Sequence, residues 1–287
     1  MDAADPDCSG RRRFLRTTLA AAAGSMLLPG WANALANAPA PVLRIQRLAW
    51  AGVRLQLDSG SVFLDPLLDG NVWEQTLPDP LVPFGEIAGN RWVLVSHRHP
   101  DHCDPVAIRS ALGAEGTLVY PAAGGAPAVD GVKARAAALY EPQLLGDFTA
   151  TAVPASDGYG DPQSSWVVSA GGRRIIHCGD TLWHGAWWHI GRQYGPFAAA
   201  FLPINGARFG WRKPVSDVPG VMSAEQAVAA AVVLGARMIV PIHYGVAGAD
   251  GYQEDPDALV HLATHAARRD MAVQVVAPGD WVEWDRS

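Results

Sequence analysis

The sequence predicts an α/β fold whose strands end in metal-binding side chains. Hydrophobic residues make up 49% of the 287 residues, which is enough to bury a large core. Short apolar runs bounded by glycine and serine alternate with longer helical patterns. One apolar run, residues 91–96, leads directly into the segment HRHPDH at 97–102. These observations indicate a layered domain with a site built from loops at strand ends.

The elements fall into two similar halves. For the first half the pattern predicts a loop at 70–90, rich in proline and glycine, a helix at 106–112, and strands at 43–48, 53–57, 62–64, 92–95 and 117–120. For the second half it predicts a helix within 183–194, helices at 223–234 and 257–268, and strands at 149–153, 165–169, 174–177, 198–202, 238–240, 273–276 and 281–284. Ser223 is expected to cap the second of these helices, and Pro256 to open the third.

Segment 97–102 places four metal-capable side chains within six residues. Alternate side chains of a strand share a face, so His97 and His99 can point at one ion. The chain turns at Pro100, which lets Asp101 and His102 reach a second ion. Imidazole and carboxylate suit zinc, manganese or iron. The alternative is a polar loop that is rich in histidine and binds no metal.

This segment resembles the signature of the metallo-β-lactamase superfamily. Residues 175–181 (IIHCGDT) and 240–245 (VPIHYG) resemble the strands of that family that end in a bridging aspartate and in the last histidine ligand. The resemblance covers roughly residues 42–285 and implies a four-layer αββα sandwich. Within the superfamily the segments most resemble ascorbate-6-phosphate lactonase-like and N-acylphosphatidylethanolamine phospholipase D-like proteins, a branch that Asp65-Pro66 also fits.

The resemblance implies a complete ligand set for two divalent ions. The first ion would be bound by His97, His99 and Asp157, the second by Asp101, His102 and His243, and Asp180 would bridge them. The set departs from the family at Asp157, because family members usually carry a histidine there.

A third carboxylate makes the centre less positive and harder, which favours manganese or iron relative to zinc. Two alternatives stay open. Asp157 faces away and the first ion is weak or absent, or Ser156 acts as a weak ligand.

The function implied is that of a metal-dependent hydrolase. A metal-bridging hydroxide would attack a small ester, lactone or phosphodiester, with Asp101 and Asp180 as catalytic residues. The expected cofactors are two divalent ions, zinc first, with manganese or iron as alternatives. The alternative functions are a di-iron-type oxidoreductase and a metal-binding protein that has lost catalysis.

Four residues near the expected site are candidates for substrate binding: His184, Asn205, Arg208 and Tyr244. The segment 182–189 around His184 carries three tryptophans and either overhangs the pocket or packs on the core. Asn205 and Arg208 either bind substrate oxygens and anionic groups or stabilise their own loop.

Residues 1–38 are predicted to be a twin-arginine signal peptide with a short linker, and 39–287 the hydrolase domain. The expected partners are the twin-arginine export machinery and a small-molecule substrate, in the periplasm or outside a bacterial cell. We expect no stable membrane anchor after leader removal; the alternative is a leader retained as an anchor. The net charge of −6 argues against nucleic acid as a partner.

Two cysteines, Cys103 and Cys178, remain after the leader. The favoured interpretation is a pair of small buried thiols. A disulfide or a Cys103 thiolate ligand stays open.

Overall fold

The computed structural model describes residues 42–73 and 76–284. Its first half contains the helix α1 (Pro105–Leu112) and the strands β1 (Arg44–Arg47), β2 (Val53–Leu57), β3 (Gly60–Leu64), β4 (Asn90–Leu94), β5 (Thr117–Pro121) and β6 (Lys133–Ala137). Its second half contains the helices α2 (Trp187–Tyr194), α3 (Ala224–Leu234) and α4 (Ala258–Ala267). The strands of this half are β7 (Pro142–Leu145), β8 (Phe148–Pro154), β9 (Ser164–Ala170), β10 (Arg173–His177), β11 (Ala199–Pro203), β12 (Arg208–Phe209), β13 (Met238–Ile242), β14 (Tyr252–Gln253) and β15 (Ala272–Val273).

The described strands form two large sheets and one small one. The first sheet has the order β1-β2-β3-β4-β5-β6, and it is parallel from β3 to β6. The second has the order β15-β13-β11-β10-β9-β8-β7, with β10, β11, β13 and β15 parallel and the strands from β7 to β10 antiparallel. Strands β12 and β14 pair separately near the site.

Strand β11 shows how the layers form. Its side chains alternate, so Phe201 packs between the two sheets while Leu202 packs beneath the helices of the second sheet. A second core separates that sheet from α2, α3 and α4, and a third separates the first sheet from α1. The order of layers is therefore helix, sheet, sheet, helix, and the predicted αββα sandwich is confirmed.

Some element predictions were correct and others were wrong. Ser223 caps α3 as predicted, since its side chain accepts from Gln226 N while the Gln226 side chain accepts from Ser223 N. Helix α2 lies within the predicted range and begins at Trp187, while Leu182 N donates to Ser156 O and holds the preceding residues against that loop.

The predicted strand at 281–284 is absent from the described residues. Only one isolated bridge forms there, between Gln46 and Trp281. Strand β15 stops at Val273, before most of the predicted strand at 273–276. Strands β6, β7, β12 and β14 were not predicted from the sequence.

In the described ranges no helix combines the length and apolar character that crossing a bilayer requires. The predicted leader lies outside these residues.

Candidate metal centre

The candidate ligands follow four strands that end at one edge of the sandwich. Residues 97–102 follow β4 of the first sheet. Asp157 follows β8, Asp180 follows β10 and His243 follows β13, all in the second sheet. These three strands run in the same direction, so their carboxyl ends meet at one edge, where layered α/β folds build their sites.

The structure gathers all seven predicted ligands into two adjacent groups. The first group is His97, His99, Asp157 and Asp180, and the second is Asp101, His102 and His243. Within each group the candidate ligand atoms lie within 4.8 Å of one another. The division into two groups is the one that the sequence predicts.

Asp180 lies between the two groups. Its Oδ2 is 3.6 Å from His97 Nε2 in the first group and 4.0 Å from His102 Nε2 in the second. Its Oδ1 accepts a hydrogen bond of 2.8 Å from Gln163 Nε2, which fixes the carboxylate in this position. Asp180 therefore lies within reach of both groups, and its bridging of two ions stays a prediction.

Gly179, directly before Asp180, allows this close packing. Its φ of 58° lies in the left-handed region, which glycine adopts without a steric penalty. A Cβ added there would lie 2.8 Å from Ser96 Oγ and from Gln163 Nε2. The turn that presents Asp180 therefore requires a residue without a side chain.

Asp157 faces the cluster. Its Oδ1 accepts hydrogen bonds from Tyr159 N at 2.6 Å and Asp161 N at 3.1 Å. Its Oδ2 is left 3.7 Å from His99 Nδ1 and is buried. The alternative in which this side chain turns away does not describe the structure.

Several buried atoms of the cluster lack a hydrogen-bond partner. Within the described part of the chain, the ligand atoms concerned are Asp157 Oδ2, the Nε2 atoms of His97 and His102, and both ring nitrogens of His243. Buried polar atoms are nearly always paired, so such a convergence of lone pairs needs a shared partner. A divalent cation meets that need, and the residues therefore fit the metal that the sequence predicts.

Asp65 orients His102 from behind the cluster. The fully buried carboxylate accepts from Ser96 N and Ser96 Oγ, both at 2.6 Å, and contacts His102 Nδ1 at 2.8 Å. An ionised carboxylate only accepts hydrogen bonds, so Nδ1 must carry the proton. The lone pair of Nε2 then faces the cluster, as a metal ligand requires.

Charge in the cluster also favours a bound cation. Burial lowers the pKa of His102, but the carboxylates of Asp101, Asp65 and Asp180 outweigh burial and raise it to about 10. The surrounding carboxylates thus stabilise a positive charge at His102, which either a second ring proton on Nε2 or a bound cation can supply. Burial lowers the pKa of His97 and of His243 well below the usual range, which keeps both rings neutral and able to bind metal.

A cavity of about 390 Å³ opens over both groups. Its wall contains the ligands His99, Asp101, Asp180 and His243. The remaining wall is mainly aromatic, formed by Trp73, Tyr159, Phe209, Trp211 and Tyr252 together with Val72, Pro100, Asp161 and Arg212. The aromatic residues of this wall were not predicted from the sequence, because they lie far apart in loops and short strands and form no local pattern.

The four predicted substrate-binding residues do not line this cavity. His184 stacks on Trp187 with ring centroids 4.1 Å apart, and burial lowers its pKa to about 4. Arg208 is exposed and its Nε donates to Asp217 O. Tyr244 packs beside the core beneath the helices and faces the Arg47 guanidinium, 5.2 Å from its ring.

Asn205 lies one layer behind the cavity. Its Nδ2 donates to Tyr252 Oη at 2.7 Å and to Glu254 Oε2 at 3.0 Å. Asn205 therefore positions Tyr252, which lines the cavity, and does not line it itself. The tryptophans of segment 182–189 pack mainly on the second core, which was one of the two alternatives.

Cys103 and Cys178 are both free and buried, so the predicted pair of buried thiols is confirmed. They pack in different cores, and burial raises the pKa of each thiol to about 12.

Known proteins resemble this chain over most of its length. Residues 61–244 match the family model of the β-lactamase superfamily domain. A UPF0173 metal-dependent hydrolase of Rubrobacter xylanophilus is 31% identical over 224 residues, which cover 70% of this chain and 81% of the relative. Among solved structures, the metallo hydrolase Igni18 of Ignicoccus hospitalis matches with a TM-score of 0.62 and 20% identity, covering 85% of this chain and 99% of that one. CmlA, a diiron β-hydroxylase of Streptomyces venezuelae, matches with a TM-score of 0.65 and 14% identity, over 84% of this chain and 54% of that one.

Proposed function

Because the chain belongs to the metallo-β-lactamase superfamily, we propose that it hydrolyses a small ester, lactone or phosphodiester at a centre of two divalent ions. That it is a metal-dependent hydrolase follows from the family and from relatives named as such. The substrate class, the number of ions and their identity are our proposal, supported by the geometry of the cluster.

One observation carries the proposal. The buried, unpartnered Nε2 atoms of His97, His102 and His243 converge with Asp157 Oδ2 on a space bordered by Asp180. His97, His99 and Asp157 would hold one ion, and Asp101, His102 and His243 the other. Zinc suits these ligands best, and the aspartate at 157 improves the fit of manganese or iron.

Ions bound at this centre would lower the pKa of a coordinated water towards about 7 and polarise an oxygen of the substrate. The protein's own contribution begins with Asp101. Trp50 Nε1 donates to Asp101 Oδ2 at 3.0 Å and fixes it 3.5 Å from His102 Nε2. Asp101 lines the cavity, so its carboxylate is placed to accept a hydrogen bond from an attacking water and to orient it.

The cysteines offer no competing covalent route. Both are buried, and with pKa values raised to about 12 by burial they stay protonated thiols at neutral pH. The nucleophile of the proposed reaction is therefore water.

The test combines metal analysis with hydrolysis assays. Full-length protein would be loaded with zinc, manganese or iron and assayed on aryl esters, lactones and bis(4-nitrophenyl) phosphate. We expect two ions per chain and turnover of at least one class, with Asp180→Asn losing both an ion and activity. Asp58→Asn, in an exposed turn, is the matched control and should behave as wild type. Bound metal without turnover on any class would support the alternative of lost catalysis.

A di-iron oxidoreductase is the second candidate. It is favoured by three carboxylates among the seven candidate ligands, a hard ligand set that suits iron, and by the fold shared with a diiron β-hydroxylase. Iron spectroscopy on protein isolated with its own metal discriminates the two. Hydrolytic turnover by a zinc-loaded, iron-free sample would exclude the second candidate.

Export through the twin-arginine machinery to the periplasm is also a proposal. A chain carrying Arg11→Lys and Arg12→Lys should stay unprocessed in the cytoplasm, while the parent chain should appear, shortened, in the periplasmic fraction. Equal processing of both chains would contradict it.

A further inference from the structure

Aromatic rings form a continuous wall above both ligand groups. Near the first group, the rings of Tyr159 and His99 lie 5.3 Å apart, and those of Tyr159 and Phe209 4.5 Å apart. The ring centroids of Phe209 and Tyr252 lie 6.1 Å apart, and those of Tyr252 and Trp73 lie 4.7 Å apart. A wall of flat faces across a cavity of this size favours a flat, apolar group in the substrate.

Arg212 gives this wall one positive end. Among the described residues that line the cavity it is the sole lysine or arginine. Its guanidinium carbon lies 3.9 Å from the Tyr159 ring centroid, so a cation–π contact holds it over that ring. Tyr159 is fixed in turn, because its hydroxyl accepts a hydrogen bond from Trp211 Nε1.

The guanidinium is also free to bind a ligand. In the portion of the chain that the structure describes, no carboxylate lies within 4.0 Å of it and none of its N–H groups donates to a protein atom. The nearby acid, Asp161, is bonded instead to His99 Nε2 at 3.0 Å. Arg212 is exposed, lies over the Tyr159 ring and has no ionic partner among the described residues, so its guanidinium is accessible to a carboxylate or phosphate group.

From this placement we infer that Arg212 selects substrates that carry an anionic group on a flat, apolar body. The anionic group binds at the Tyr159 end of the cavity, beside the first ligand group. The apolar body lies along Phe209 and Tyr252 towards Trp73. That the bound ligand is a substrate rests on the proposed function, whereas the binding preference itself can be measured without turnover.

Binding is tested with benzoate and benzamide, which share a ring and differ in charge. Calorimetric titration of the metal-loaded protein should show benzoate bound about tenfold more tightly, the size of one partly exposed charge-assisted hydrogen bond. Arg212→Gln should reduce the ratio of benzoate to benzamide affinity about tenfold relative to wild type, and Arg212→Lys should restore part of it. Lys213→Gln is the matched control, since Lys213 is exposed, lies outside the cavity wall and donates to Gly210 O. All variants carry the same metal centre, so direct contact of benzoate with the ions cancels in the comparison.

Hydrolysis gives an independent arm with 4-acetoxybenzoate and its methyl ester. For the acid, Arg212→Gln should raise KM about tenfold with kcat nearly unchanged, and the methyl ester should be unaffected. A benzoate preference that is as large in Arg212→Gln as in wild type would overturn the inference, whether or not the esters are cleaved. Arg212-dependent benzoate binding without cleavage of any ester would instead leave the inference standing and count against the proposed function.

Discussion

Replacing Asp65 with asparagine should weaken metal binding although Asp65 is not among the candidate ligands. Asparagine has nearly the same shape but can donate a hydrogen bond from its amide nitrogen. Ser96 N needs an acceptor, so the asparagine oxygen would turn towards it and the NH₂ group would face His102 Nδ1. The ring proton would then move to Nε2, the atom that faces the cluster, and block the lone pair that binds metal.

The magnitude follows from the contacts that Asp65 loses. Substitution of residues that orient a ligating histidine typically reduces metal affinity about 10- to 100-fold, or about 1.4–2.7 kcal/mol. Stability should fall as well. Burial raises the pKa of Asp65, but the hydrogen bond and charge of His102 outweigh it and lower the pKa from 3.8 to about 2. A depressed pKa stabilises the fold above pH 4, by about 2 kcal/mol here, and this stabilisation is lost as the pH falls towards 2.

A competition titration against a chromophoric zinc chelator at pH 7.5 measures the effect. Asp65→Asn should show one of two ions bound with reduced affinity, while the exposed control Asp58→Asn should match wild type. Circular dichroism at the same temperature confirms that the variant is folded. Wild-type affinity for both ions in folded Asp65→Asn would refute the argument that Asp65 sets the tautomer of His102.

Three further predictions concern the surrounding structure. Burial raises the pKa of Glu254 to about 7, so the folded state holds a proton that the unfolded state releases above pH 4.5. The free energy of unfolding should thus decrease by about 1–2 kcal/mol between pH 4.5 and 7, after allowance for solvent screening, and this decrease should be absent in Glu254→Gln. Urea unfolding of both proteins at pH 5 and pH 8 measures it. Gly179→Ala should cost about 1–2 kcal/mol through its positive φ and also reduce metal occupancy, because the new Cβ meets Ser96 Oγ; unchanged metal content would contradict it. Phe201→Ala should lower the free energy of unfolding by about 3–5 kcal/mol, whereas the 62% exposed Val260 should tolerate alanine within about 0.5 kcal/mol.

The sequence was most informative where spacing along the chain determines geometry. Segment 97–102 contains four of the candidate ligands, and the strand before it is apolar enough to be recognised, so this part of the centre could be predicted from local pattern. Asp180 and His243 each follow a buried strand, and the resemblance to a family identified both as ligands. The resemblance to a family supplied Asp157, which no local pattern marks.

The cavity wall could not be predicted in the same way. Along the chain, 86 residues separate Trp73 from Tyr159, and 93 separate Tyr159 from Tyr252. They meet at the cavity only because loops from both sheets fold over one edge. Strand β6 was missed because its first four residues are exposed and show no alternation of apolar and polar side chains. Asn205 was predicted to bind substrate and lies behind Tyr252, since sequence does not show which side of a loop its side chain takes.

The two ligand groups draw on both sheets, and this has a consequence for how the protein matures. Every one of the first four ligands along the chain, His97 to His102, emerges from the ribosome long before His243. Neither half of the polypeptide alone offers a complete coordination sphere at either position. Metal can therefore be retained tightly only after synthesis is finished and the halves have docked. A bound metal ion would link the two sheets and stabilise the folded protein against their separation.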